Sequence, residues 1–232
     1  AGGRGAPLAP LLHRSLFYND SENRAVLNLG GIANLTILPA TGGVSGFDCG
    51  PGNCLMDGWA RRQLQKDYDD GGRWAAKGEI DTQLLGRMLA DPYFELPPPK
   101  STGLEYFNQT WLEQKLGHTP ASAIDVQATL VELCAQSIAL SLDKAVPPDR
   151  LLVCGGGIHN VFLMQAIASA LPDTVVESTA RYGMDPDWVE GLLYAWLARE
   201  RIAGRPQETM PVTGANNPVL LGEMHEPCVV DL

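Results

Sequence analysis

One carboxylate and three glycine-rich turns are the residues of this sequence whose types and spacing could do chemistry. Asp48 stands in Phe47-Asp48-Cys49-Gly50-Pro51-Gly52-Asn53, directly after a strand-like run at 44–47. A carboxylate at the end of a strand, held in a Gly-Pro-Gly turn, is placed to take a proton from a nucleophile or to bind a metal ion. The same position suits an Asp that bonds its own turn, and the local sequence leaves both readings open. The glycine turns are Asn28-Leu29-Gly30-Gly31, the Gly50-Pro51-Gly52-Asn53 turn after Asp48, and Gly155-Gly156-Gly157-Ile158-His159-Asn160. Each ends a predicted strand, and the second and third lead into predicted helices. Glycine lets backbone N–H groups approach phosphate, and a helix N-terminus favours negative charge. Any one turn alone reads as a tight connection, whereas three in one lobe favour a nucleotide site. None is a Walker loop, because no Gly-Lys-Ser/Thr follows.

Other side chains carry weaker signals. Glu190, in Asp185-Pro186-Asp187-Trp188-Val189-Glu190, falls in the first turn of a predicted helix, where a carboxylate also offsets the helix dipole. Lys100, beside Ser101 and Thr102 in a proline-rich loop, could meet a phosphate or sugar, or could be a solvated loop residue. Trp188 and Trp196 are expected in the core. The five cysteines (Cys49, Cys54, Cys134, Cys154, Cys228) are odd in number and lack zinc-finger spacing, so they read as reduced, cytoplasmic thiols. The four histidines are scattered and expected at the surface or in loops, and no set of metal ligands can be read.

These residues need a scaffold. The chain has 232 residues, 45% of them apolar, enough for a real core. A net charge of -10 argues against nucleic acid, since nothing would neutralise a row of phosphates. A nucleotide would have to be held by backbone N–H groups and a metal ion. Mean hydropathy close to zero, and no apparent apolar run of about 18–20 residues, argue against a bilayer. Strands are predicted at 25–29 and 34–38, joined through Gly30-Gly31 as a hairpin, and at 44–47. A helix follows at 55–66 with Asn53 available as its cap. Residues 67–78 read as a loop, 80–90 as a helix stopped near Pro92, and 96–103 as irregular because of three prolines. A short helix is expected at 108–116. The longest periodic stretch, 126–146, has apolar residues at 3–4 spacing and Asp125 as its cap. A strand at 150–154, a helix at 160–171, a strand at 174–177 and a helix at 187–203 precede a wrapping tail at about 205–232. The order βββα…βαβα predicts an α/β fold with a mixed sheet. It is also the order of the ribonuclease-H-like lobe that occurs twice in actin-like ATPases, whereas a Rossmann domain does not begin with a hairpin and three consecutive strands.

Longer motifs carry a resemblance. The opening Ala1-Gly2-Gly3-Arg4-Gly5-Ala6-Pro7-Leu8, the Asn28–Leu35 turn, Gly46 to Asn53, Lys100-Ser101-Thr102-Gly103 with Glu105 to Asn108, Cys154 to Gly157 with Asn160, Asp187 to Glu190, Ala195 to Ala198 and Val212 to Ala215 resemble the anhydro-N-acetylmuramic acid kinase family, in order and over essentially the whole chain. The resemblance implies an actin-like kinase of peptidoglycan recycling. Such an enzyme uses ATP and Mg²⁺ to phosphorylate O6 of 1,6-anhydro-N-acetylmuramic acid while water opens the anhydro bridge. It implies that Asp48 activates the water and that Asn28, Gly30 and Gly31 belong to a phosphate loop. Gly155, Gly156, Gly157 and Asn160 would lie on the nucleoside side, and Glu190, Gly50, Asn53 and Lys100 at the sugar. It also implies a homodimer.

The chain departs from the family's pattern at Arg4, where Gln is common, and at Leu104, where Arg is common and a cationic contact would be lost. The sequence opens inside what reads as a glycine-rich loop, so 1–23 is expected to be the remnant of an inter-lobe segment and 24–232 the C-terminal lobe. The N-terminal lobe, with its own phosphate loop, is expected to be missing and the chain alone to be inactive. The competing readings are another actin-like sugar kinase and a non-catalytic sugar- or nucleotide-binding fragment.

Overall fold

The hairpin read at Gly30-Gly31 lies at the heart of the sheet. β1 (Arg24–Leu29) pairs antiparallel with β2 (Ile32–Leu38), Leu27 opposite Leu35 and Asn28 opposite Asn34. β3 (Ser45–Pro51) continues antiparallel on the far side of β2. β4 (Arg150–Cys154) and β5 (Val175–Ser178) are added parallel on the other side of β1, giving the order β3-β2-β1-β4-β5. This computed structural model describes residues 2, 7–117 and 121–225. Arg4, Cys228 and the end of the tail lie outside them. The α/β order and the mixed sheet are those expected.

Side chains on successive strand residues point to opposite faces, and here both faces are covered. Ala25, Leu27 and Leu29 join one core with Leu151 and Val153, whereas Val26 joins a second core with Leu152 and Cys154. The larger core is closed by α2 (Asn53–Leu64), α6 (Ala123–Leu142) and α7 (Val161–Ala170). The smaller is closed by α1 (Ala9–Phe17) and α8 (Val189–Ile202), through Leu12, Phe17 and Val189. Each fully buried side chain of this size contributes about 1.5–3 kcal/mol. Between α2 and α6 run α3 (Thr82–Leu89), α4 (Pro92–Glu95) and α5 (Gln109–Leu116), and α9 (Met210–Thr213) lies in the tail.

Several local expectations are corrected. β3 runs on through Pro51, because Gly50 and Pro51 still pair with Ala33 and Ile32 beyond a register shift, so Asp48 lies inside the strand. α6 starts earlier than expected. Ser122 is its cap, and the Asp125 carboxylate accepts the Glu79 N–H instead. At 20 residues α6 is long and apolar enough by length and composition to match a bilayer span, contrary to the sequence reading, but 13 of its residues are buried against the sheet and neighbouring helices. Asn53 does not cap α2. Asp81 caps α3, and Pro92 opens α4 rather than only stopping a helix, as its fixed φ suits a first turn. Residues 67–78 contain two short 3-10 turns. Trp188 is 68% exposed rather than in the core, and His13 is buried rather than at the surface. α1 was not expected at all within 1–23.

Candidate active site

The strand register builds a polar row across the sheet. Asp48 pairs with Asn34, Asn34 with Asn28, and Asn28 with Cys154. By the two-residue alternation, all four face the side of α1 and α8, opposite the larger core. They open onto a cavity of about 1480 Å³, together with Gly30, Gly155, Gly156, Lys100 and Ser101. Glu190, in the first turn of α8, lines it with Leu193, Tyr194 and Leu197, residues that share one helical face. Seven of the sequence-predicted site residues are thus brought together: Asn28, Gly30, Asp48, Lys100, Gly155, Gly156 and Glu190.

Five are not on that wall. Asn53 Nδ2 donates to the carbonyls of Leu29 and Gly30, at 3.0 and 3.1 Å. The Asn53 N–H also donates to Gly30 O, and those of Gly52 and Cys54 to Gly31 O. The start of α2 therefore spends its N–H groups on the hairpin turn that carries Gly30 and Gly31, rather than on an incoming anion. Gly50 is buried where a Cβ would meet Phe94 and Ser137. Gly157 is buried against Leu29 and Asn53. Asn160 caps α7 through the Leu163 N–H.

Asp48 is held by the loop that the sequence marks only as irregular. Its Oδ2 accepts the Ser101 hydroxyl and the Thr102 N–H, each at 2.9 Å. Its own N–H donates to Lys100 O at 3.1 Å, and its carbonyl accepts the Tyr93 hydroxyl at 2.8 Å. The Lys100 ammonium is buried, not solvated, 4.6 Å over the Tyr93 ring and 3.4 Å from Tyr93 O. Burial pushes its pKa below the ordinary lysine value, against the pull of the nearby Asp48 carboxylate. Burial also pushes the Tyr93 hydroxyl up, with Asp48 adding to it.

On the opposite wall, Gly155 takes a φ of +84° and donates its N–H to Pro186 O at 3.0 Å. His159 Nε2 lies 2.9 Å from the Asp187 carboxylate, so the glycine turn and the approach to α8 are tied twice. Cys49, Cys54 and Cys154 have thiols pushed up to about 12 by burial, and Cys134 is pushed up further by burial; all four are free. Among the described residues no cluster of three or more His, Cys, Asp or Glu side chains could hold a metal ion.

Sequence reasoning missed Asn34, whose only signal was its place in the alternation of β2. It also missed Tyr93 and the part that Ser101 and Thr102 take in holding Asp48. The arrangement offers a carboxylate beside a buried cation on one wall and a glycine turn with Gly156 exposed on the other, which suits proton removal next to a phosphate-bearing ligand.

A sequence profile of the family described as anhydro-N-acetylmuramic acid kinase matches residues 1–227. A relative of that description from Xylella fastidiosa is 50% identical over 226 residues, which are 97% of this chain and 59% of the relative. One from Pseudomonas syringae pv. tomato is 48% identical over 227 residues, 97% of this chain and 62% of its own length. The chain therefore spans about three fifths of the curated relatives it matches. Among solved structures, the activator of the 2-hydroxyisocaproyl-CoA dehydratase from Clostridium difficile, with bound ADPNP, superposes with a TM-score of 0.51 at 13% identity. It covers 85% of this chain and 67% of the activator, a likeness of fold alone.

Proposed function

This chain belongs to the anhydro-N-acetylmuramic acid kinase family, and on that premise we propose that it supplies the base and one wall of the nucleotide site of an ATP-dependent kinase. The reaction hydrolyses the 1,6-anhydro ring of anhydro-N-acetylmuramic acid and phosphorylates O6, giving N-acetylmuramic acid 6-phosphate in cell-wall recycling. The observation that carries this reading is Asp48, anchored through one carboxylate oxygen and facing a cavity that Gly155, Gly156 and Glu190 also line.

Asp48 takes a proton from water as the water oxygen attacks the anomeric carbon and the bond from that carbon to O6 breaks. The freed O6 attacks the γ-phosphorus of ATP, ADP leaves, and the proton passes from Asp48 to solvent. Asn28, Gly30, Gly155 and Gly156 line the phosphate and nucleoside side. Gly31, Asn53, Gly157 and Asn160 act by shaping those turns, and Gly50 by letting β3 lie against Phe94. Glu190 and Lys100 border the sugar. Mg²⁺ would neutralise phosphate charge. The lack of an acidic or histidine cluster among the described residues suits an ion carried mainly by the phosphates. The proposal extends to a cytoplasmic homodimer in which 24–232 form a C-terminal lobe, 1–23 belong to the inter-lobe connection, and the other lobe corresponds to the part of the relatives not matched here.

The test is a kinase assay on the full-length product of the reading frame, with ATP, Mg²⁺, the anhydro sugar and ¹⁸O-labelled water. Label at the anomeric hydroxyl of a phosphorylated product is the expected result. Phosphorylation without label, or of ordinary hexoses alone, would move the function to another sugar kinase.

A further inference from the structure

A carboxylate on a strand has two torsions of its own, and a base must present one oxygen to one proton. Asp48 meets this requirement unevenly. Both hydrogen bonds to its carboxylate, from the Ser101 hydroxyl and the Thr102 N–H, fall on Oδ2, and among the described residues Oδ1 receives none. Hydrogen bonds to an ionised oxygen are about twice as strong as neutral ones, so two of them on one atom fix the plane of the group.

The donors are themselves anchored. Lys100, the residue before Ser101, bonds the Asp48 N–H through its carbonyl and seats its ammonium over the Tyr93 ring. The residue after Thr102, Gly103, accepts the N–H groups of Tyr106 and Phe107 at 3.1 Å. The Phe107 ring is buried against Tyr93, Phe94 and Trp111, at centroid distances of 5.3, 5.7 and 5.2 Å. The short span that carries the two donors is thus pinned on both sides, while the Ser101 side chain stays exposed at the cavity wall.

We propose that Ser101 is a positioning residue for ring opening: with the Thr102 N–H it holds Oδ2 of Asp48, so that Oδ1 takes the proton of the attacking water. The water O–H bond breaks toward Oδ1, its oxygen bonds the anomeric carbon, and the electron pair of the broken anhydro bond stays on O6. This rests on the reading of Asp48 as the base.

The test compares Ser101→Ala, Ser101→Thr and Asp48→Asn in the full-length product, reading kcat and KM for sugar and ATP separately and the thermal midpoint of each variant. Ser101→Ala is expected to lower kcat about ten-fold, the effect of losing one hydrogen bond to a charged group. Both KM values should stay within about two-fold, because that hydroxyl is committed to Asp48 Oδ2. The midpoint should not move, since Ser101 is exposed. Ser101→Thr keeps the hydroxyl and is expected to recover most of the rate. An unchanged kcat in Ser101→Ala beside an inactive Asp48→Asn overturns the positioning role and leaves the base in place. A loss carried by KM, or one that Ser101→Thr does not recover, overturns it too. Near-normal activity in Asp48→Asn removes the base itself, and the proposal with it.

Discussion

Gly155 and Gly156 are neighbours in one turn, yet alanine at the first should act on stability and at the second on binding. Gly155 sits at a φ of +84°, and a Cβ there would collide with Asn28 Oδ1 and lie 3.0 Å from Leu29 O. Strain of this kind costs roughly 1–3 kcal/mol, so thermal melts should show Gly155→Ala clearly destabilised. A Cβ on Gly156 meets nothing within 4 Å, and the residue borders the cavity. Gly156→Ala should melt like the parent and bind ATP more weakly in a titration of the full-length product; a normal affinity would take that turn out of the nucleotide site. Asp48→Asn should lose on the order of 10²–10⁴ in rate, the usual contribution of a positioned base. At this scale the sequence was legible where chemistry is local. Asp48, Gly30, Gly155 and Gly156 stand out by their immediate neighbours and do border the cavity, whereas Gly31, Gly50 and Gly157 stand out in the same way and do not. Tyr93, Ser101 and Thr102 reach Asp48 across 45, 53 and 54 residues, and nothing in the sequence around them encodes that contact.

Among the elements, α1 carries the sharpest expectation. It lies over β2, with His13 Nδ1 2.8 Å from Thr36 Oγ1, and burial lowers the His13 pKa from 6.5 to about 4. Between those values the unfolded chain binds a proton that the folded chain refuses, so stability falls as the solution is acidified from 6.5 toward 4. The loss between pH 7 and 5 is on the order of 2 kcal/mol. Asp57, pushed up to about 6 by burial, acts in the opposite sense over part of the same window. The His13 effect is therefore read as a difference: His13→Gln should show a smaller drop in thermal midpoint between pH 7 and 5 than the parent, and equal drops would refute it. The central strands were readable because runs of apolar residues, such as Ala25 to Leu27 and Leu151 to Val153, supply both cores. α1 was not, because Pro10, Arg14 and Ser15 interrupt its short apolar pattern, and a proline in a first turn looks like a breaker until the helix is seen. The extent of β3 was hidden for a different reason: Gly50 and Pro51 have poor strand propensity and are held as strand by long-range pairing with β2.

For the molecule as a whole, the sheet divides labour: one face is sealed by the larger core and the other opens to the cavity. Phosphoryl transfer depends on holding the phosphates from several sides, and on the proposed function the glycine turns bordering the cavity would supply one of them. The 232-residue polypeptide assayed alone should therefore show no turnover above background, and measurable activity from it would refute the two-lobe reading. The element order and the mixed sheet were legible at this scale because hairpin, crossover and helix lengths allow few arrangements, whereas the strand order and the cavity, which depends on how α1, α8 and α9 lean over the sheet, were not. The position of Asp48 has one more consequence. β3 is the last strand on its side, and an uncovered last strand offers its N–H and C=O groups to any passing chain, an invitation to aggregate. Here Lys100 O already occupies the Asp48 N–H, and Pro97, Pro98 and Pro99, which have no N–H to donate, lead into that contact. The loop that holds Asp48 also guards the sheet against edge-to-edge pairing, so changes that free it should lower solubility and, if Asp48 is the base as proposed, rate as well.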